Sequence, residues 1–174
     1  HDIPLIFDEV QTGFVSSGTV WYSEQLNIEP DIIVYGKKSQ VSGIMVKKSH
    51  SKVFENQKRL SVTYDGDLVD MIRCKYIINT ITNDQLKKNV NKQGKKLYKE
   101  LKKISNIYNV RQSGLLIAFD FKTTEDRNTF CDTLFLNKMI CNPTGTHSVR
   151  MRPNLAVTSA EINTALQIIN SSLN

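Results

Sequence analysis

Two carboxylates close the apolar run Leu5-Ile6-Phe7-Asp8-Glu9. Such a run reads as a strand buried on both faces of a sheet, and the carboxyl ends of these strands are where α/β sheets bind ligands. Acids at that place serve a metal and its water, or simply cap the strand end. A second apolar run, Ile32-Ile33-Val34-Tyr35, delivers Gly36-Lys37, and a lysine amine so delivered is a nucleophile toward a carbonyl carbon. Arg150 and Arg152 alternate along a further strand pattern and share a face of it. A surface position is the alternative for these arginines. His50 and His147 have no partner pattern and read as surface residues.

The elements that must carry these groups change character along the chain. Strand-like runs at Pro4–Phe7, Ile32–Tyr35 and Ile44–Val46 come first. A helix is expected over Leu68–Thr82, with Met71, Cys74, Ile78 and Ile81 on one face. Next comes a lysine-rich helix, whose apolar stripe is Leu86, Val90, Leu97, Leu101 and Ile104. Then come a strand over Leu115–Phe121, a helix over Glu125–Asn137, and a last helix. Thr158 and Glu161 form the capping box of that last helix, and Ile162, Ala165, Leu166 and Ile169 point inward. This order suggests two parts, residues 1–82 and 83–174.

At 174 residues and 40% hydrophobic content the chain can bury a core. Its net charge of +6 is concentrated at Lys87, Lys88, Lys92, Lys95, Lys96, Lys99, Lys102 and Lys103. Their spacing makes them the solvated face of a helix, and no nucleic-acid partner is expected. Cys74, Cys131 and Cys141 are scattered, so neither a disulfide framework nor a metal site is suggested. No stretch is long and apolar enough to span a bilayer, so no membrane partner is expected and a cytoplasmic location is. The chain opens at His1 close to a core strand, and the expectation is a chain that begins in mid-domain.

Taken alone, Leu5–Glu9 resembles two things. One is the Walker B element of P-loop ATPases, whose acids serve magnesium and water. The other is the signature of class III aminotransferases, whose aspartate meets the ring of pyridoxal 5'-phosphate (PLP). The residues downstream of Glu9 separate them. Gln11-Thr12-Gly13 and Pro30-Asp31-Ile32-Ile33-Val34-Tyr35-Gly36-Lys37 stand where the aminotransferase pattern requires them, and no Gly-x-x-x-x-Gly-Lys loop occurs. Gly36-Lys37-Lys38-Ser39-Gln40-Val41-Ser42-Gly43-Ile44-Met45 resembles the G-K-K-T-Q-V-C-G-V-M stretch of lysine 6-transaminases. Ornithine and acetylornithine relatives have small residues and paired glycines after the lysine. The similarity continues in Gly18–Trp21, in Leu68–Arg73 and in Val149-Arg150-Met151-Arg152-Pro153-Asn154-Leu155, which resembles V-R-F-R-P-P-L.

This resemblance implies the type I PLP-dependent transferase fold, an α/β architecture. Residues 1–82 would close the large PLP-binding domain and residues 83–174 would form the small C-terminal α+β domain. It implies that Lys37 carries PLP and moves a proton, that Asp8 meets the pyridine nitrogen, and that Gln11 meets the phenolic oxygen. Lys38 has the right side chain at the wrong position. Thr63 matches a threonine that binds the PLP phosphate across a homodimer interface. There the family's T-W-G-G-N is Thr63-Tyr64-Asp65-Gly66-Asp67, with two added acids, and a plain surface turn is the alternative. Arg150 matches the arginine that clamps a substrate carboxylate. The implied reaction moves the ε-amino group of L-lysine to 2-oxoglutarate. The alternatives are an ornithine or 4-aminobutyrate aminotransferase, or an inactive truncated remnant, and the chain by itself is expected to be inactive.

Overall fold

The structure, a computed structural model, describes residues 3–56 and 58–173. They divide into two compact units: residues up to 15 with 19–85, and residues 16–18 with those from 86 onward.

The first unit is built on a three-stranded sheet, β1 (Ile6–Asp8), β2 (Ile32–Tyr35) and β3 (Gly43–Val46), in that spatial order. β1 and β2 are parallel with Asp8 opposite Val34, and β3 runs antiparallel with Gly43 opposite Tyr35. A single helical turn, α1 (Ser23–Leu26), lies between β1 and β2. α2 spans Leu68–Asn83, and the Asp67 carboxylate caps it by accepting the Asp70 amide at 3.0 Å.

Two expectations about this unit change. β1 begins at Ile6 rather than Pro4, and it is not covered on both faces, since Leu5 is 43% and Ile6 56% exposed. β1 has one paired neighbour among the described residues, so its other edge is open. The apolar face of α2 forms as the spacing predicts, yet no residue of the helix is buried. Periodicity fixes which residues share a face, and only a packing partner covers it.

The second unit is a four-stranded antiparallel sheet, β4 (Tyr108–Ser113), β5 (Leu116–Asp120), β6 (Asn142–Thr144) and β7 (Ser148–Met151), in spatial order β4-β5-β7-β6. It carries three helices, α3 (Leu86–Leu101), α4 (Thr124–Leu136) and α5 (Ser159–Ser172). Strand alternation sends Ile117, Phe119, Val149 and Met151 to one face. There they meet Leu97, Leu101, Phe130, Leu134, Ile162 and Ile169 in the core. α3 ends before Ile104, which still packs against that core. Its lysines stay on the outer side, apart from half-buried Lys96, whose ammonium donates to the Ser159 carbonyl at 3.0 Å. The Thr158–Glu161 capping box forms as expected.

β4 has no counterpart among the strands expected from the sequence. Its residues are mostly polar and it bulges between Tyr108 and Arg111, so it shows no clean alternation. The early segment Ser16–Gly18 is also built into this unit. The Leu115 amide donates to the Ser16 carbonyl at 3.0 Å, the Ser113 hydroxyl to the Ser17 carbonyl at 3.0 Å, and Asn91 Nδ2 to the Gly18 carbonyl at 2.8 Å. No helix among the described residues is long and apolar enough to cross a membrane.

Candidate functional site

Parallel pairing of β1 and β2 brings Asp8 and Lys37 out at the same end of the sheet. Both side chains are exposed. Asp8 Oδ1 accepts the Val10 amide at 3.0 Å, an Asx turn that bends the chain off the strand. The neighbouring acid goes the opposite way. Glu9 is 1% exposed, its Oε1 accepts the Ser23 amide at 2.9 Å, and its Oε2 accepts the Thr12 hydroxyl. The two adjacent carboxylates therefore divide their work: Asp8 faces out, and Glu9 staples the loop between β1 and α1. Gln11 sits half-buried in that loop.

Gly36 is buried, and a Cβ there would approach Ser42 Oγ to 2.8 Å, so a larger residue would turn the Ser42 hydroxyl aside. Lys37 itself is in the left-handed region at φ 56, a conformation that costs a non-glycine residue about 1 kcal/mol or more. Its carbonyl is fixed by two donors, the Gln40 amide and Gln40 Nε2, each at 3.0 Å. The backbone is thus turned sharply where the strand ends, with the Lys37 side chain exposed. α2 packs against this turn. Thr63 is exposed in the turn that precedes α2. Of the two added acids, Asp67 is the helix cap, whereas Asp65 is exposed.

Arg150 belongs to the second unit. It lies on the sheet face away from the apolar core, directly opposite Ala118 on β5 and Asn142 on β6. Its Nε is buried and has no hydrogen-bond partner among the described residues. The next row of the same face holds Asp120 opposite Ser148. Asp120 is 9% exposed and accepts from Ser148 Oγ at 2.6 Å, from Arg111 Nη1 at 2.8 Å and from Asn109 Nδ2 at 2.8 Å. Burial pushes its carboxyl up, but the hydrogen bonds from Ser148, Arg111 and Asn109 and the guanidinium charge outweigh it and hold the group below the usual carboxylate range. The spacing of chemistry-bearing residues in the sequence does not single out this cluster. Its trace is Ile117-Ala118-Phe119-Asp120, where alternation puts the acid on the face opposite the phenylalanine.

Two of the thiols are weakened as nucleophiles. All three cysteines are free, and burial pushes Cys131 up and Cys141 up to about 12.

The family model for aminotransferase class III matches residues 1–173. The chain belongs to the class III aminotransferases. It is 37% identical over 181 residues to L-lysine-epsilon aminotransferase of Mycobacterium bovis, covering 99% of this chain and 40% of that protein. It is 32% identical over 168 residues to 4-aminobutyrate aminotransferase of Schizosaccharomyces pombe, covering 89% of this chain and 34% of that protein. Against the solved structure of lysine aminotransferase from M. tuberculosis the TM-score is 0.92 at 37% identity, over 99% of this chain and 42% of that one. The chain thus spans about 40% of the length of these relatives. Its architecture is the α/β fold of the PLP-dependent aminotransferases.

Class III aminotransferases depend on PLP, and the residues at this end of the first sheet fit that cofactor. A primary amine suits its aldehyde, an exposed carboxylate at the same strand ends suits its pyridine nitrogen, and the Gln11 carboxamide suits its phenolic oxygen.

Proposed function

We propose that this chain furnishes the cofactor lysine and a substrate-binding arginine of an L-lysine 6-transaminase. The reaction transfers the ε-amino group of L-lysine to 2-oxoglutarate, giving 2-aminoadipate 6-semialdehyde and L-glutamate. The observation that carries the reading is the parallel pairing of β1 with β2, which brings Asp8 and Lys37 out at the same end of the sheet.

When bound, PLP supplies an electron sink for the substrate carbanion. The chain's own groups do the rest. Lys37 Nζ would hold the cofactor through its aldehyde carbon, and the same amine, when free, would be the base that carries the proton. Asp8 would face the pyridine nitrogen and favour its protonated form. Gln11 would donate to the phenolic oxygen, and Thr63 would donate its hydroxyl to the phosphate held by the facing subunit of a homodimer with shared active sites. Arg150 holds the carboxylate shared by lysine and 2-oxoglutarate, a role consistent with its unpartnered Nε.

Lysine is favoured as donor by the Gly36–Met45 stretch and by the similarity to lysine-epsilon aminotransferases. An ornithine or 4-aminobutyrate donor is the second reading, and the likeness to the S. pombe enzyme supports it. Assaying the full-length protein with 2-oxoglutarate and each amine, while trapping the cyclised semialdehyde, tests the choice. Lysine should give the highest kcat/KM, with measurable turnover of ornithine, because one methylene is worth only about 1–3 kcal/mol in a pocket. Faster turnover of ornithine or 4-aminobutyrate would transfer the assignment.

A further inference from the structure

The second unit's sheet has one apolar face and one polar face, and the polar face is organised in rows. Arg111 on β4, Ala118 on β5, Arg150 on β7 and Asn142 on β6 stand opposite one another in a single row. Directly opposed residues share a face, and neighbouring antiparallel strands bring their Cα atoms to about 5 Å. The backbones of Arg111 and Arg150 are therefore about 10 Å apart, with only the Ala118 methyl between them.

These two guanidinium groups are in different states. Arg111 Nη1 donates to Asp120 Oδ1 at 2.8 Å and to the Asn109 carbonyl at 2.9 Å, and its Nη2 donates to Ser148 Oγ at 3.2 Å. Asp120 also takes the Ser148 hydroxyl and Asn109 Nδ2, so it is locked on both sides. Arg150 Nε, across the alanine, has no partner among the described residues. A row holding two cations beside one small residue would otherwise attract a ligand with two negative charges.

We propose that Asp120 is a specificity-determining residue of the substrate site: by engaging Arg111 it leaves Arg150 as the guanidinium that answers an incoming carboxylate. The proposal rests on the reading of Arg150 as a substrate-carboxylate group. With Asp120 in place, this face registers one carboxylate and is indifferent to a second charge further along the ligand. Without it, the Arg111 charge is no longer offset by a carboxylate, and the row becomes a two-cation clamp for diacids. A donor and an acceptor of different total charge must use the same site in turn, and the acid keeps both within reach of one arginine.

The test measures binding of glutarate and butyrate, non-reacting carboxylates, to the PLP-loaded full-length protein by calorimetry. Asp120→Asn should raise the preference for glutarate over butyrate about tenfold, the effect of one additional charged hydrogen bond. Adding Arg111→Gln to Asp120→Asn should restore the original preference. Arg111→Gln alone should weaken glutarate more than butyrate, because the freed Asp120 charge then faces the ligand. A merely structural role for Asp120 would move both ligands by the same factor. An unchanged preference in Asp120→Asn, or a shift that survives in the double variant, would overturn the proposal. If Asp120→Asn does not fold, equal weakening of both ligands in Arg111→Gln overturns it instead. Undiminished binding in Arg150→Gln would show that the underlying reading of Arg150 is at fault.

Discussion

Gly94 lies in the middle of α3, where alanine is intrinsically favoured by about 1 kcal/mol. Gly94→Ala should nevertheless destabilise the protein. A Cβ at that position would come within 1.9 Å of the Gly114 carbonyl oxygen and 2.7 Å of its carbon, both backbone atoms. Relief requires Gly114 to retreat by more than an ångström, and it has nowhere to go. It sits at φ +58, and a Cβ placed on it would lie 2.4 Å from Ser17 C and 2.5 Å from Gly18 N. Its carbonyl also accepts Gln112 Nε2 at 2.8 Å, a bond that any shift would stretch. Overpacking against an unyielding backbone costs about 3 kcal/mol, and loss of the hydrogen bond about 1 kcal/mol. After the propensity gain, the net loss is about 3 kcal/mol. For a chain of this size that lowers the melting temperature by about 6–12 °C. Thermal unfolding followed by circular dichroism reads it. As a comparison, Gly66→Ala at φ +74 has no neighbour within 4 Å of the added Cβ and should cost only about 1 kcal/mol of backbone strain. An unchanged or higher melting temperature in Gly94→Ala would refute the steric reasoning.

Borohydride reduction and peptide mapping of the PLP-loaded full-length protein should find the pyridoxyl group on Lys37, and finding it on Lys38 would remove that assignment. Asp8→Asn should retain the cofactor absorbance while kcat falls by about 10²-fold or more; activity within about threefold of wild type would sink the role. Phe119→Ala, which removes a fully buried ring packed on Phe121 and Phe130, should cost about 3–5 kcal/mol in urea unfolding. Because the folded carboxyl of Asp120 lies below its unfolded value, its contribution is complete above pH 3.8 and is lost as pH falls through the folded value. Asp120→Asn should therefore flatten the acid limb of a melting-temperature profile below pH 3.8, and an unaltered limb would count against the network.

What the sequence reveals here depends on the range over which each signal acts. The α5 capping box and the alternation of β5 are set by residues within a few positions of one another, so they can be read directly. Asp8 and Gly36-Lys37 are legible because each ends an apolar run, but their coming to one edge depends on parallel pairing across 26 residues. Glu9 shows the opposite case. Its chemistry looks identical to that of Asp8 in the string, and only the path of the chain sends it inward to Ser23. β4 escapes notice because its polar residues serve the polar face of the sheet. The coverage of β1 and α2 is not encoded in their own residues at all.

The short run Ser16–Gly18 also has a bearing on how the second unit comes into being. Its backbone carbonyls accept bonds from Leu115 and from Ser113, the latter 96 positions away. Contacts so distant along the chain are slow to form, because a long loop must close before they bring any return. During synthesis this segment leaves the ribosome before β4 and β5 and waits until they emerge. Nor can the second unit be excised by one cut before Leu86, since the Leu115 amide, on a residue with 1% exposure, would lose its acceptor. A dissection that keeps the unit whole must carry residues 16–18 along, joined in by circular permutation or supplied as a peptide.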